Sequence, residues 1–169
     1  MAETERYVIS ILLQNESGAL ARVATMFAIR GFNIESLVVA PTEDESVSRL
    51  TLVTHCTERT MGQLSKQILK LIDVVALADR TSAEHLEREI GLLKFRVDRP
   101  AAKEMLEHIE HYEARVLDDE LAHLTVEIAG EEASIDHFLE NLPEGVRVLS
   151  VVRSGPLVIA RGPSTLTDG

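Results

Sequence analysis

The sequence predicts an α+β chain made of two tandem ferredoxin-like βαββαβ units. Two observations lead there. Short apolar runs and amphipathic stretches follow one another in the same order twice, with a period of about 80 residues, too long for a solenoid repeat. The chain has 169 residues, of which 45% are apolar and 27% charged, an ordinary globular composition with room for two modest cores.

Tyr7 to Gln14 (YVISILLQ) is an apolar, β-branched run that ends in the turn formers Asn15-Glu16-Ser17-Gly18. Leu20, Val23, Ala24 and Phe27 then fall at i, i+3, i+4 and i+7, and Gly31 stands where a helix needs a left-handed stop. Ile34 to Ala40 reads as a second strand closed by Pro41. The polar turn Thr42 to Ser46 leads into Arg49 to His55, where Leu50, Leu52 and Thr54 alternate with Arg49, Thr51 and Val53, as in a sheet with one buried face. Met61, Leu64, Ile68 and Leu71 trace a second helix face before the closing run Val74 to Ala78. This first unit is expected over residues 7–80.

A second unit is expected over residues 85–162. Ile90 to Val97 is its first strand, with Leu93, Phe95 and Val97 inward. A helix from about Ala101 to Tyr112 buries Met105, Leu106 and Ile109. Val116-Leu117 and Leu121 to Ala129 form a hairpin around Asp118-Asp119-Glu120, with Leu124, Val126 and Ile128 on one face. Ile135, Phe138, Leu139 and Leu142 make another helical stripe, stopped by Pro143 and Gly145, and Val146 to Val152 closes the unit. Residues 163–169 are expected to be a disordered tail.

In a βαββαβ unit the strands lie in the spatial order 4-1-3-2, which puts the second strand at an edge. In the first unit that edge carries Ile34, Leu37, Val38 and Val39 with neither lysine nor proline to blunt it, and it is expected to pair with a second copy as a homodimer.

Several function classes are excluded. A formal net charge of −11 without a basic cluster opposes nucleic acid and anionic membranes as partners. No apolar run approaches the roughly 20 residues needed to span a bilayer. The start MAETERY lacks a signal-peptide pattern, and the single Cys56 has no disulfide partner, so the expected location is the cytoplasm. His108 and His111, three apart beside Glu104, Glu107, Glu110 and Glu113, read as a solvated helix face rather than a metal site. No phosphate loop, nucleophile setting or zinc motif occurs, so no catalytic residue and no metal ligand is assigned.

The turn Asn15-Glu16-Ser17-Gly18 is the candidate ligand site. A helix start offers free backbone N–H groups to a carboxylate, Gly18 allows close approach, and Asn15 carries both a donor and an acceptor. The competing account is that Asn15 or Ser17 merely caps the helix and Gly18 merely relieves a tight turn. Asn33 is open to the same pair of readings, a turn residue or a polar contact across a dimer seam.

Ile9 to Arg49, through Asn15-Glu16-Ser17-Gly18-Ala19-Leu20, Arg30-Gly31-Phe32-Asn33-Ile34-Glu35-Ser36-Leu37 and Val39-Ala40-Pro41-Thr42, closely resembles the N-terminal ACT domain of the small subunits of acetolactate synthase, also called acetohydroxyacid synthase. Leu71-Ile72-Asp73-Val74, Glu87-Arg88-Glu89, Arg153-Ser154-Gly155 and Ala160-Arg161-Gly162 match the later landmarks of that family in order. The resemblance implies an ACT domain followed by an ACT-like C-terminal domain, in a subunit that is not itself an enzyme. It implies a large-subunit partner that carries thiamine diphosphate, Mg²⁺ and FAD, with no cofactor on this chain. The implied role is in branched-chain amino acid biosynthesis: to activate that partner and confer feedback inhibition by valine or another branched-chain amino acid. The effector contacts it implies are Asn15 and Gly18 from one chain and Asn33 from the other, with the backbone of Ala19, Leu20 and Ile34. The competing assignment is a free-standing amino-acid sensor that regulates some other protein. Asp98-Arg99-Pro100, His111-Tyr112 and Leu117-Asp118-Asp119 depart from the family pattern.

Overall fold

The computed structural model describes residues 4–81, 84–120 and 122–166. They form two compact units: one reaches Leu86 and includes the chain from Leu157 onward, and the other spans Glu87–Pro156.

In the first unit the order is β1 (Glu5–Gln14), α1 (Ala19–Ile29), β2 (Ser36–Pro41), β3 (Val47–Cys56), α2 (Glu58–Ile68) and β4 (Val74–Asp79). The strands hydrogen-bond in the order β2-β3-β1-β4, all neighbours antiparallel, so β2 lies at an edge as expected. Ile9 pairs with Leu52 and Ile11 with Leu50; these side chains share one sheet face and pack on Val23, Phe27, Met61, Leu64 and Ile68 of the helices. Leu20 departs from the expected stripe. It is 38% exposed, while Ala19, Val23 and Phe27 carry the buried face of α1.

Gly31 stops α1 by adopting φ +71°. Its N–H donates to Ala28 O at 3.0 Å and that of Phe32 to Phe27 O at 3.1 Å, the two bonds of a Schellman cap. α2 starts on Thr57, whose Oγ1 accepts from Thr60 N, with Glu58 in the first turn and Lys66 in the last to complement the helix dipole.

The second unit runs β5 (His85–Val97), a 3-10 turn (Arg99–Ala101), α3 (Ala102–His111), β6 (Arg115–Glu120), β7 (His123–Gly130), α4 (Glu132–Glu140) and β8 (Val146–Arg153), with strands ordered β6-β7-β5-β8. Its core joins Leu93, Phe95, Leu124, Val126 and Ile128 to Met105, Ile109, Ile135 and Phe138. Leu106 was expected inward and is 55% exposed.

Asp118-Asp119-Glu120 is not the turn of the hairpin. These residues pair with Thr125, Leu124 and His123, and the chain reverses beyond them, near Ala122 at φ +67°. An exposed edge strand accepts the three carboxylates because none of them is desolvated. His108 is not on a solvated face either. It is half-buried, its ring lies against Phe138 and Tyr112, and its Nε2 is 2.9 Å from Phe138 O. Glu104, Glu107, Glu110 and Glu113 are exposed.

The alternation in β3 predicts one buried face, whereas both are covered: Thr51 and Val53 are as buried as Leu50 and Leu52. The cover includes a ninth strand, β9 (Leu157–Ala160), whose Val158 packs with Val8 and Val53. Arg161 N–H donates to Glu84 O at 3.2 Å just beyond it. Leu166 is buried as well, so the expected disordered tail is ordered at least that far; residues 167–169 of it lie outside the described residues.

Val158→Asp is therefore expected to lower unfolding free energy by about 2 kcal/mol or more, by placing a carboxylate against Val8 and Val53. Ile159→Asp, on the exposed side of the same strand, should change it by no more than about 0.5 kcal/mol. Urea unfolding of the two variants checks this.

Candidate functional site

The β1–α1 loop is tied down at Asn15. Its backbone N–H donates to Ser46 O at 2.7 Å, and its side-chain Nδ2 donates to Glu45 O at 2.9 Å, latching the loop to the β2–β3 turn. That turn is held by Asp44, whose Oδ1 accepts from the N–H and Oγ of Ser46, and these bonds push the Asp44 carboxyl below its ordinary pKa. One of the two hydrogens of the Asn15 amide is committed to Glu45 O, which leaves the amide its second hydrogen and its oxygen.

Gly18 begins α1 in the left-handed region, φ +91° and ψ −13°. No side chain caps the helix: neither Asn15 nor Ser17 donates or accepts at its start, and its first turn holds no acidic residue. The capping account of Asn15 and Ser17 is therefore not realised, while the left-handed Gly18 does relieve a tight turn. The N–H groups of the first turn have no intrahelical partners, as at every helix start, and that of Ala19 donates to Glu16 O at 3.2 Å. Here they sit beside an exposed glycine, an exposed asparagine and the 38% exposed Leu20, with Ala19 buried beneath.

Arg22, one turn into α1, was not among the residues the sequence singled out. Its Nε and Nη2 hold both oxygens of Asp73 at 2.5 and 2.7 Å. Asp73 is buried, and its backbone oxygen accepts from Gln14 N at 2.8 Å, so one residue ties together the end of β1, the start of α1 and the approach to β4. The hydrogen bonds from Arg22 hold the Asp73 carboxyl below the usual carboxylate range, against the opposing effect of burial. The remaining nitrogen, Nη1, lies beside Gly18, 3.0 Å from where a Cβ would stand. The signal in the sequence was Asp73 inside the Leu71-Ile72-Asp73-Val74 landmark, an acid flanked by aliphatic residues and in need of a cation.

The structure brings Asn15, Gly18, Ala19 and Leu20 together and does not bring Asn33 and Ile34 to them. Asn33 is exposed, and its backbone oxygen accepts from Thr54 Oγ1 at 2.7 Å, while Ile34 packs against the first core. Thr54 pairs with Tyr7, near the start of β1, whereas Asn15 follows Gln14 at its end. The strand between Tyr7 and Gln14 spans about 23 Å at ~3.3 Å per residue. One copy of the chain holds the two halves at opposite ends of its sheet.

Other polar clusters are structural. In the second unit Arg153 holds both oxygens of the buried Glu89 at 3.1 and 2.6 Å and Asp136 at 2.6 Å, and Gly155 N–H donates to Glu89, which joins two of the landmarks read in the sequence. A cavity of about 450 Å³ lies in that unit between α3 and the β6–β7 hairpin, lined by Val97, Met105, Leu106 and Leu124 with Arg99 and Asp119. Among the described residues no group of three His, Cys, Asp or Glu is placed to hold a metal, and no helix is long and apolar enough to cross a membrane.

Comparison with known proteins bears on the whole chain. Residues 9–76 match the family model described as AHAS small subunit-like ACT domain, and residues 88–162 match that for the small subunit of acetolactate synthase. The chain belongs to the acetolactate synthase small-subunit family. The isozyme 3 small subunit of Salmonella typhimurium is 39% identical over 157 residues, 93% of this chain and 96% of that protein. The small subunit of Haemophilus influenzae is 37% identical over 161 residues, 95% and 99% of the two chains. The crystal structure of the Thermotoga maritima acetolactate synthase small subunit superposes with a TM-score of 0.85 at 29% identity, covering 95% of this chain and 99% of that one. As an acetolactate synthase small subunit the chain is regulatory and non-catalytic, and its role lies in branched-chain amino acid biosynthesis.

The Arg22–Asp73 pair gives this small subunit a defined acid response. The folded pKa of Asp73 lies below its unfolded value of about 4. Its stabilisation is complete above that value and is lost as pH falls through the folded pKa. Between about pH 5 and pH 2 the parent should therefore lose stability more steeply than Asp73→Asn, which is less stable at neutral pH. Urea midpoints across that range test it.

Proposed function

We propose that this small subunit activates the acetolactate synthase large subunit and makes it sensitive to valine or another branched-chain amino acid bound where two copies meet. The observation that supports this best is the uncapped start of α1 at Gly18, with Asn15 beside it and Asn33 at the far end of the same sheet. A carboxylate suits the N–H groups of the helix start beyond Ala19, whose own N–H is held by Glu16 O, and the Asn15 amide oxygen suits an ammonium.

A homodimer through β2 completes the arrangement. Leu37 and Val39 are 37% and 40% exposed on this edge strand, which offers unpaired backbone groups to a second copy. In antiparallel pairing of two β2 strands, Ser36 of one copy meets the Pro41 end of the other. That end leads into the turn latched to Asn15. Asn33 of one copy thereby approaches Asn15 and Gly18 of the other, with Leu20 and Ile34 as apolar walls. The large subunit supplies thiamine diphosphate, Mg²⁺ and FAD, and the complex works in the cytoplasm. Because the pocket is shared, the effector acts by preferring one arrangement of the dimer over another.

Asn15→Ala, Gly18→Asp and Asn33→Ala are each expected to abolish valine inhibition of the holoenzyme while leaving activation largely intact. Each asparagine deletion costs about 1 to 3 kcal/mol, a five- to hundredfold loss of affinity. Enzyme assays with and without valine, beside calorimetric titration, test both halves; parent-like binding by all three variants would place the site elsewhere. Val38→Lys should weaken the dimer in sedimentation at micromolar concentration, and a parent that sediments as a monomer with and without valine rejects the shared pocket.

A further inference from the structure

Arg22 has one nitrogen to spare. Asp73 occupies Nε and Nη2 in a bidentate fork, which fixes the guanidinium plane and leaves Nη1 with two donors. Nη1 lies 3.0 Å from the position of a Gly18 Cβ, on the side of the loop that only a glycine leaves open. The side chain is 46% exposed, so solvent and solutes reach it, whereas Asp73 at 6% is closed to them. The other acid whose field reaches Arg22 is Glu16, itself exposed.

Backbone N–H groups alone are a weak grip on a carboxylate in water. An arginine one turn into the same helix, held in plane by a buried acid that balances most of its charge, adds a fixed side-chain donor to those of the helix start. We propose that Arg22 is a specificity-determining residue of the effector site, donating Nη1 to the ligand carboxylate, and that Asp73 is the positioning residue that holds it there. This rests on the amino-acid site described above. It also gives Gly18 a second role: besides the left-handed backbone that a side chain strains, any Cβ there displaces the guanidinium from the place where the carboxylate is received. In G18D the new carboxylate takes that place itself.

The test is calorimetric titration of the full-length chain with L-valine and with L-valinamide, which keeps the ammonium and side chain and lacks the carboxylate. Arg22→Gln, Arg22→Lys, Asp73→Asn and Asn15→Ala are compared with the parent after circular dichroism has checked their fold. Arg22→Gln should lose on the order of tenfold to hundredfold in affinity for valine and little for valinamide, collapsing the preference for the acid. Arg22→Lys should recover part of that preference, and Asp73→Asn should reduce it less than Arg22→Gln does. A residue that only braces the helix would lower both ligands alike. If Arg22→Gln keeps the parent's ratio of valine to valinamide while Asn15→Ala loses valine binding, the role of Arg22 is overturned and the site stands. If the parent does not bind valine, or Asn15→Ala binds it as the parent does, the site itself fails and this inference falls with it.

Discussion

A buried carboxylate must be paired, and in the first unit that requirement organises everything around the functional loop. Asp73 is 5% exposed and sits just ahead of β4, where an unpaired charge would be costly. Arg22 reaches it from α1, and its backbone oxygen takes the N–H of Gln14 at the end of β1. The start of the helix, the end of the central strand and the approach to the last strand are thus tied at one residue, Asp73, through its side chain and its backbone oxygen, and the loop between Gln14 and Ala19 is suspended among them. The second unit reaches the same solution by other means. Glu89, also buried, is grasped by Arg153 and by the N–H of Gly155. Each unit pairs an arginine with a buried acid.

The two sheets share a topology and differ at their edges. β2 is aliphatic, from Leu37 to Val39, while β6, its topological counterpart, ends in Asp118-Asp119-Glu120 and is exposed throughout. Carboxylates along an edge repel a like strand and keep its backbone solvated, which is how edges are kept from pairing. The duplicated fold has been given one edge suited to association and one that resists it, and the suited one belongs to the unit with the uncapped helix.

Much of this was legible in the sequence because periodicity reports burial. The stripes Val23 and Phe27, Met61, Leu64 and Ile68, and Leu124, Val126 and Ile128 all face cores, and the glycine that stops α1 stood where its left-handed cap required. Features decided by distant chain were not legible. Thr51 and Val53 looked solvent-facing because nothing local reveals that Val158, about a hundred residues on, covers that face. The carboxylates at 118–120 resembled a turn because composition cannot separate a polar turn from a polar edge. Asn15 and Gly18 were visible as turn chemistry, but Arg22 was not singled out. Only the fold shows that it lies over Gly18 while gripping Asp73. That Asn33 lies a sheet's length from Asn15 follows from strand register, which no local pattern encodes.

The placement of β9 bears on how the chain is made. The first unit is synthesised as far as Leu86 early, yet Val158 and Leu166 belong to it and leave the ribosome after the whole of the second unit. At about 5 to 20 residues per second, the 80 residues from Leu86 to Leu166 take roughly 4 to 16 s to add. During that interval Val8 and Val53 form a sheet face without the strand that covers it, in a nascent chain whose β2 edge is also unpaired. The first unit is thus begun before the second and completed after it, with an aliphatic surface open to chaperones, and to other nascent copies, until β9 has been made.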